Sequence, residues 1–131
     1  MTKPKRQQPP YIRSHHNTVL ALTPENQLIH APLEQLEGKG RPLYLNSVYG
    51  VGKLYTLDGT QPRFLKVENG AVTNLVAKSS VSQATSFSIQ QEDGGKTMAF
   101  RFGDVFLCAV PSGSVAIDRP KAKAWEMFSI G

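Results

Sequence analysis

The side chains in this sequence that could do chemistry are few: three histidines, one cysteine and ten acids spread over 131 residues. His15 and His16 are adjacent, so on a strand their rings face opposite ways, and His30 lies on another segment. Neither His-x-x-x-His nor Cys-x-x-Cys occurs, so the histidines read as structural and no metal is expected. Cys108 lies inside "VFLCAV", whose apolar neighbours predict a buried small hydrophobe, and alone it closes no internal disulfide. Asp58, Glu68, Glu92, Asp93, Asp104 and Asp118 mostly fall at turns, where a short carboxylate bonds its own backbone. "GVGK" at 50–53 has neither the spacing nor the Ser/Thr of a phosphate-binding loop and reads as a connector. The chain is therefore not expected to be an enzyme, and no cofactor is expected.

Binding is the chemistry that remains. The turns "SHHN", "LDGTQPR" and "FGD" offer short polar groups suited to gripping hydroxyls. The candidates are His15, His16, Asn17, Tyr55, Asp58, Arg63, Arg101 and Asp104, with Tyr11, Tyr55 and Phe102 as stacking surfaces beside them. The alternative is that these are hairpin turns and nothing more, since turns are polar in any case.

The elements that must carry these turns are strands. Eleven Gly and nine Pro, spread along the chain, suit many short strands better than long helices. Phe64 and Phe106 each open a short apolar run, 42 residues apart; Phe87 and Phe128 close the runs that follow, 41 apart. Gly70 and Gly113 occupy matching turns between them. A degenerate first copy lies in "TVLALTPENQLI", with "RPLYL" standing where "SFSI" and "MFSI" end the later copies. Breaks at Asp58-Gly59, Asn69-Gly70 and Gly103-Asp104 divide each copy into four strands.

The expected fold is thus all-β, with twelve strands in three pseudo-repeats of about 42 residues, spanning about 11–50, 51–93 and 94–131. A flat sheet of that size would expose its edges, so threefold closure into a β-trefoil is the natural arrangement. Phe64, Phe87, Phe106, Trp125 and Phe128 are the expected core. Trp125 and Phe128 stand three apart, so a turn or bulge must let both rings pack. The competing role for Trp125 is an aromatic platform for a sugar ring.

The closing stretch "AIDRPKAKAWEMFSI" is similar to the final motif of fascin-like β-trefoil repeats, and "VFLCAVPSGSVAI" resembles the segment before it. Phe106, Leu107, Gly113, Val115, Arg119, Trp125, Glu126 and Phe128 carry the likeness, which covers 53–131 well and 11–50 poorly. The second copy has "ATSF" in place of Trp-Glu, and the Gln-x-Trp motif of ricin-type lectins is absent. The resemblance implies the trefoil fold and, as a partner, filamentous actin.

Composition bounds the rest. With 40% hydrophobic and 19% charged residues the chain reads as one soluble domain over 11–131. The net charge of +5 draws partly on Lys3, Lys5, Arg6 and Arg13, of which the first three belong to a basic, flexible leader over 1–10. The other cations are scattered singly among acids, so nucleic acid is not an expected partner. No signal-peptide pattern and no bilayer-length apolar run is visible, so the expected address is the cytoplasm or leaderless secretion. Two functions compete: a carbohydrate-binding module using several weak sites together, and an actin- or protein-binding adaptor; a growth-factor-like or heparin-binding trefoil, suggested by charge, ranks behind both because the basic residues outside the leader are not clustered. Pairing of the chain with itself stays open under either.

Overall fold

The computed structural model describes residues 9–131; Lys3, Lys5, Arg6 and most of the expected leader lie outside the described residues. The described chain is all-β. Its strands are β1 (Ile12–Ser14), β2 (Val19–Leu22), β3 (Leu28–Ala31), β4 (Arg41–Pro42), β5 (Tyr44–Val48), β6 (Val51–Asp58) and β7 (Gln61–Glu68). They continue as β8 (Ala71–Ala77), β9 (Phe87–Glu92), β10 (Thr97–Phe102), β11 (Val105–Ala109), β12 (Val115–Arg119) and β13 (Phe128–Ile130). Short 3-10 turns at Leu33–Gln35, Lys78–Gln83, Asp93–Gly95 and Ala124–Glu126 carry the chain between strands.

All thirteen strands join in one open antiparallel sheet. A continuous run of pairs leads from β1 through β13, β10, β9 and β6 to β5. Three hairpins, β2–β3, β7–β8 and β11–β12, hang from this run. Where twelve strands were expected there are thirteen, because "RPLYL" divides at Leu43. Pro42 has no N–H for a ladder, and the Leu43 N–H turns to the Leu20 carbonyl at 2.9 Å. β4 therefore pairs with β2 while β5 pairs with β6.

Turn chemistry follows the sequence closely at one hairpin and departs from it at another. Asn69-Gly70 has positive φ at both residues, 53° and 77°, the two-residue turn that matches strand twist. Tyr49-Gly50 adopts the same conformation, with φ of 52° and 77°, although tyrosine is poorly suited to it. Its side chain is fully exposed, beside exposed Val48 and Val51.

The central core holds Phe87 and Phe128 as expected but takes Leu65 and Leu107 from beside Phe64 and Phe106. Leu20, Leu65 and Leu107 fill the middle with Phe87, Phe100 and Phe128. Phe64 instead packs in a side cluster with Val76 and Ala84, and Val19 does likewise with Ala21 and Leu36. Phe106 is buried but lies outside the central cluster. Phe64 and Phe106 are thus buried as expected, but each neighbours on its strand the leucine that reaches the central cluster, since successive residues face opposite sides. Each fully buried large side chain contributes about 1.5–3 kcal/mol by leaving water. Trp125 is not core at all: it is 42% exposed. Among the described residues no helix is long and apolar enough to cross a membrane.

Candidate functional site

The exposure of Trp125 has a local cause. Between β12 and β13 the chain makes the 3-10 turn Ala124–Glu126, in which successive side chains point about a third of a turn apart. Glu126 takes the inward direction, 4% exposed, and its Oε1 accepts the Lys123 N–H at 2.8 Å. That bond holds the turn from within, and Trp125 is left facing out. The turn expected from the spacing of Trp125 and Phe128 does form, but it separates the two rings instead of packing both.

Trp125 lines a groove of about 490 Å³ with Arg119, Pro120, Lys121, Lys123, Ala124 and Glu126. The size falls within the roughly 300–1,000 Å³ usual for small-ligand sites. Arg119 approaches Asp118 at 3.4 Å. The Cys108 side chain, and after it Asp118, holds the Arg119 guanidinium above its ordinary value. Cys108 itself is buried as expected, and burial first, then Glu126, pushes its thiol up to about 11.

A second concavity adjoins the first. It is lined by His16, Thr18, His30, Gln35, Lys39, Ser112 and Ser114 among others. The His16 and Trp125 ring centroids are 6.1 Å apart, so the two depressions meet at this ring pair. His16 in turn stacks on His30, with centroids 5.4 Å apart and planes 14° from parallel.

Hydrogen bonds fix the histidines firmly. His30 Nε2 lies 2.5 Å from the Val110 carbonyl, which can only accept, so that nitrogen carries the proton. Nδ1 of the neutral ring then accepts from the Thr18 hydroxyl at 2.7 Å. Thr18 accepts in its turn from Ser14 at 2.5 Å, and Ser14 Oγ accepts the His16 N–H at 3.0 Å. His16 Nε2 donates to the Ala109 carbonyl at 2.9 Å. Burial lowers the His30 imidazole below its ordinary value and His16 adds to the shift, while the Val110 bond opposes it. The result is a wired pair pinning the β1–β2 turn, β3 and the end of β11 together.

The residues singled out from the sequence are placed unequally. His15, His16 and Asn17 share the β1–β2 turn, and of these His16 lines the cleft. Asp58, across the β6–β7 turn from Arg63, lies 4.0 Å from it and 3.6 Å from Arg41. Arg101 and Asp104 are exposed near the β10–β11 turn. Tyr55 is half-buried in a ladder of rings, 5.5 Å from Tyr44 and 5.3 Å from Phe64. Burial, then Tyr44, raises its phenol. Tyr11 stacks on Tyr44, and Phe102 packs against Phe87. As stacking surfaces these three rings are engaged by the protein itself.

What the turns did not suggest is the cationic rim. Arg119, Lys121 and Lys123 stand at every second position in "RPKAK", a signal present in the sequence and hidden by treating its cations as scattered. The pairing of His16 with His30 had no such signal, because it depends on β2–β3 register setting His30 opposite Leu20 and on the β1–β2 turn carrying His16 over to it. No protein-family model matches the chain, and no curated protein does.

Proposed function

We propose that residues 11–131 form a single β-trefoil that binds carbohydrate on the connection bearing Trp125. The observation that carries the binding reading is the exposed indole, the only tryptophan in the chain, set in an apolar groove with polar groups at its rim. A pyranose ring has C–H groups on its faces and hydroxyls around its edge. An indole face bordered by hydrogen-bonding groups is complementary to that pattern. Gln35, Ser112 and Ser114, beyond His16, supply donors and acceptors to an adjoining sugar unit.

Two recurrences support the trefoil. Leu20, Leu65 and Leu107 hold equivalent places in the three hairpins and join one central cluster. Leu43, Phe87 and Phe128 do the same where each hairpin's connection returns to the sheet. The fascin-like resemblance of 53–131 points the same way.

The test is a glycan array on the purified chain together with Trp125 emission under titration by the sugars retained. Binding that shifts the emission and disappears in Trp125→Ala supports the reading. Silence across a broad array overturns it.

A second reading, an actin- or protein-binding adaptor, rests on a different surface. Val48, Tyr49 and Val51 form an exposed apolar hairpin tip in which tyrosine keeps φ at 52° with no packing to reward it. Co-sedimentation with actin filaments at two salt concentrations decides it. Pelleting at both, abolished by Tyr49→Asn, supports the adaptor; pelleting at low salt alone is nonspecific attraction.

A further inference from the structure

We infer that the Trp125 groove selects an anionic saccharide, one carrying a carboxylate or sulfate on a pyranose ring; this rests on the carbohydrate reading above and narrows it. The electrostatics of the rim carry the inference. Five residues, 119–123, bring three cations to the groove that Trp125 lines. The two acids nearby are already committed. Asp118 faces Arg119 at 3.4 Å, and Glu126 is turned inward with an oxygen on the Lys123 N–H. Lys121 and Lys123 are exposed, and among the described residues no ion pair joins either to an acid.

A neutral sugar needs the indole and a few hydroxyl partners, and takes from the two ammonium groups only hydrogen bonds to uncharged oxygens. An acidic sugar uses both features at once, ring face against indole and anion against ammonium. Charge-assisted bonds of this kind are roughly twice as strong as neutral ones. A polyanion without sugar rings would meet the lysines but leave the apolar floor, most of the groove's surface, unused. That is why an acidic saccharide fits better than a bare polyphosphate here.

Because the sole tryptophan lies in the groove, its emission reports this site alone. The full chain is titrated with trigalacturonate, a sulfated disaccharide, neutral maltotriose and linear polyphosphate, each at low and moderate salt. The expected result is a shift in emission with the two acidic sugars, weakening as salt rises. Lys121→Ala/Lys123→Ala should lower acidic-sugar affinity by roughly ten- to a hundredfold and weaken maltotriose binding far less. Equal binding of maltotriose and trigalacturonate overturns the charge selection while leaving the carbohydrate reading standing. Polyphosphate binding as tightly as the acidic sugars overturns it in favour of plain electrostatics. No response to any of the three sugars overturns both readings, whatever polyphosphate does.

Discussion

The connection after β8 and the connection after β12 both return the chain from a hairpin to the sheet, yet they spend their cations in opposite ways. In the first, Lys53 on β6 reaches over and donates to the Val81 and Ala84 carbonyls, both at 3.0 Å. Ala84 is buried, Val81 packs beside it, and Thr85 receives the Val67 N–H at 2.6 Å. That connection is closed by a lysine from outside. The second is held by its own carboxylate, Glu126, and so its lysines stay at the surface. An open groove with exposed cations at its rim is left where the loop needs no cation to hold it.

The largest expected effect tests whether the two connections share one core. Phe87 and Phe128 are the first residues after each, and both rings are fully buried in the central cluster. Phe87→Ala and Phe128→Ala should each cost about 3–5 kcal/mol in urea unfolding. If one were severe and the other mild, the two connections would not be equivalent in the fold.

Next come the two fastenings themselves. Lys53→Met and Glu126→Ala should each cost about 1–3 kcal/mol, since each strands hydrogen-bonding backbone groups. Their spectra separate them. Glu126→Ala should shift Trp125 emission, whereas Lys53→Met should leave it unchanged while hastening proteolysis within 78–83. An unchanged emission in Glu126→Ala would break the claim that Glu126 aims the indole.

The two connections also differ in how much of them could be read beforehand. The strands were legible because burial alternates along them as their residues do, most plainly in β6. The face of a strand was less so: "RFLKV" and "VFLCA" place two large apolar residues side by side, and ring size drew attention to Phe64 and Phe106 instead of Leu65 and Leu107. Trp125 was misread for a different reason. Its spacing from Phe128 correctly demanded a turn, but which of two neighbours a 3-10 turn buries depends on a hydrogen bond, here from the Lys123 N–H to Glu126. The stacked His16 and His30 were least legible, since strand register decides that contact and no local pattern encodes it.

Acid gives a smaller effect and should distinguish the connections. His16 meets Trp125, and His30 lies beneath His16, whereas no histidine occurs between residues 31 and 131 to serve the β8–β9 connection. The His30 imidazole titrates below its ordinary value of 6.5 in the fold. The unfolded chain therefore takes up a proton that the folded chain refuses. The stabilisation is complete above pH 6.5 and is lost as pH falls through the folded value, by at most about 1.4 kcal/mol per pH unit. Burial is the main cause of that shift, and stacked His16 adds to it. Urea midpoints at pH 7.5 and pH 5 should fall with acid in the native chain and fall less in His30→Gln. Equal slopes would remove His30 from the explanation.

The smallest effect on stability is the most informative about the groove. Trp125→Ala removes the largest side chain type in the sequence, and in a core that change costs about 3–5 kcal/mol. At a 42% exposed position whose turn is fastened by the neighbouring Glu126, it should cost about 0.5 kcal/mol or less. The measurement is the urea midpoint of Trp125→Ala, followed by tyrosine emission or circular dichroism because the variant has no tryptophan. A shift as large as that of Phe128→Ala would mean that the indole packs the domain together, and the contrast between the two connections would collapse. A small shift together with lost saccharide binding would mean that folding does not depend on this ring and that ligand recognition does.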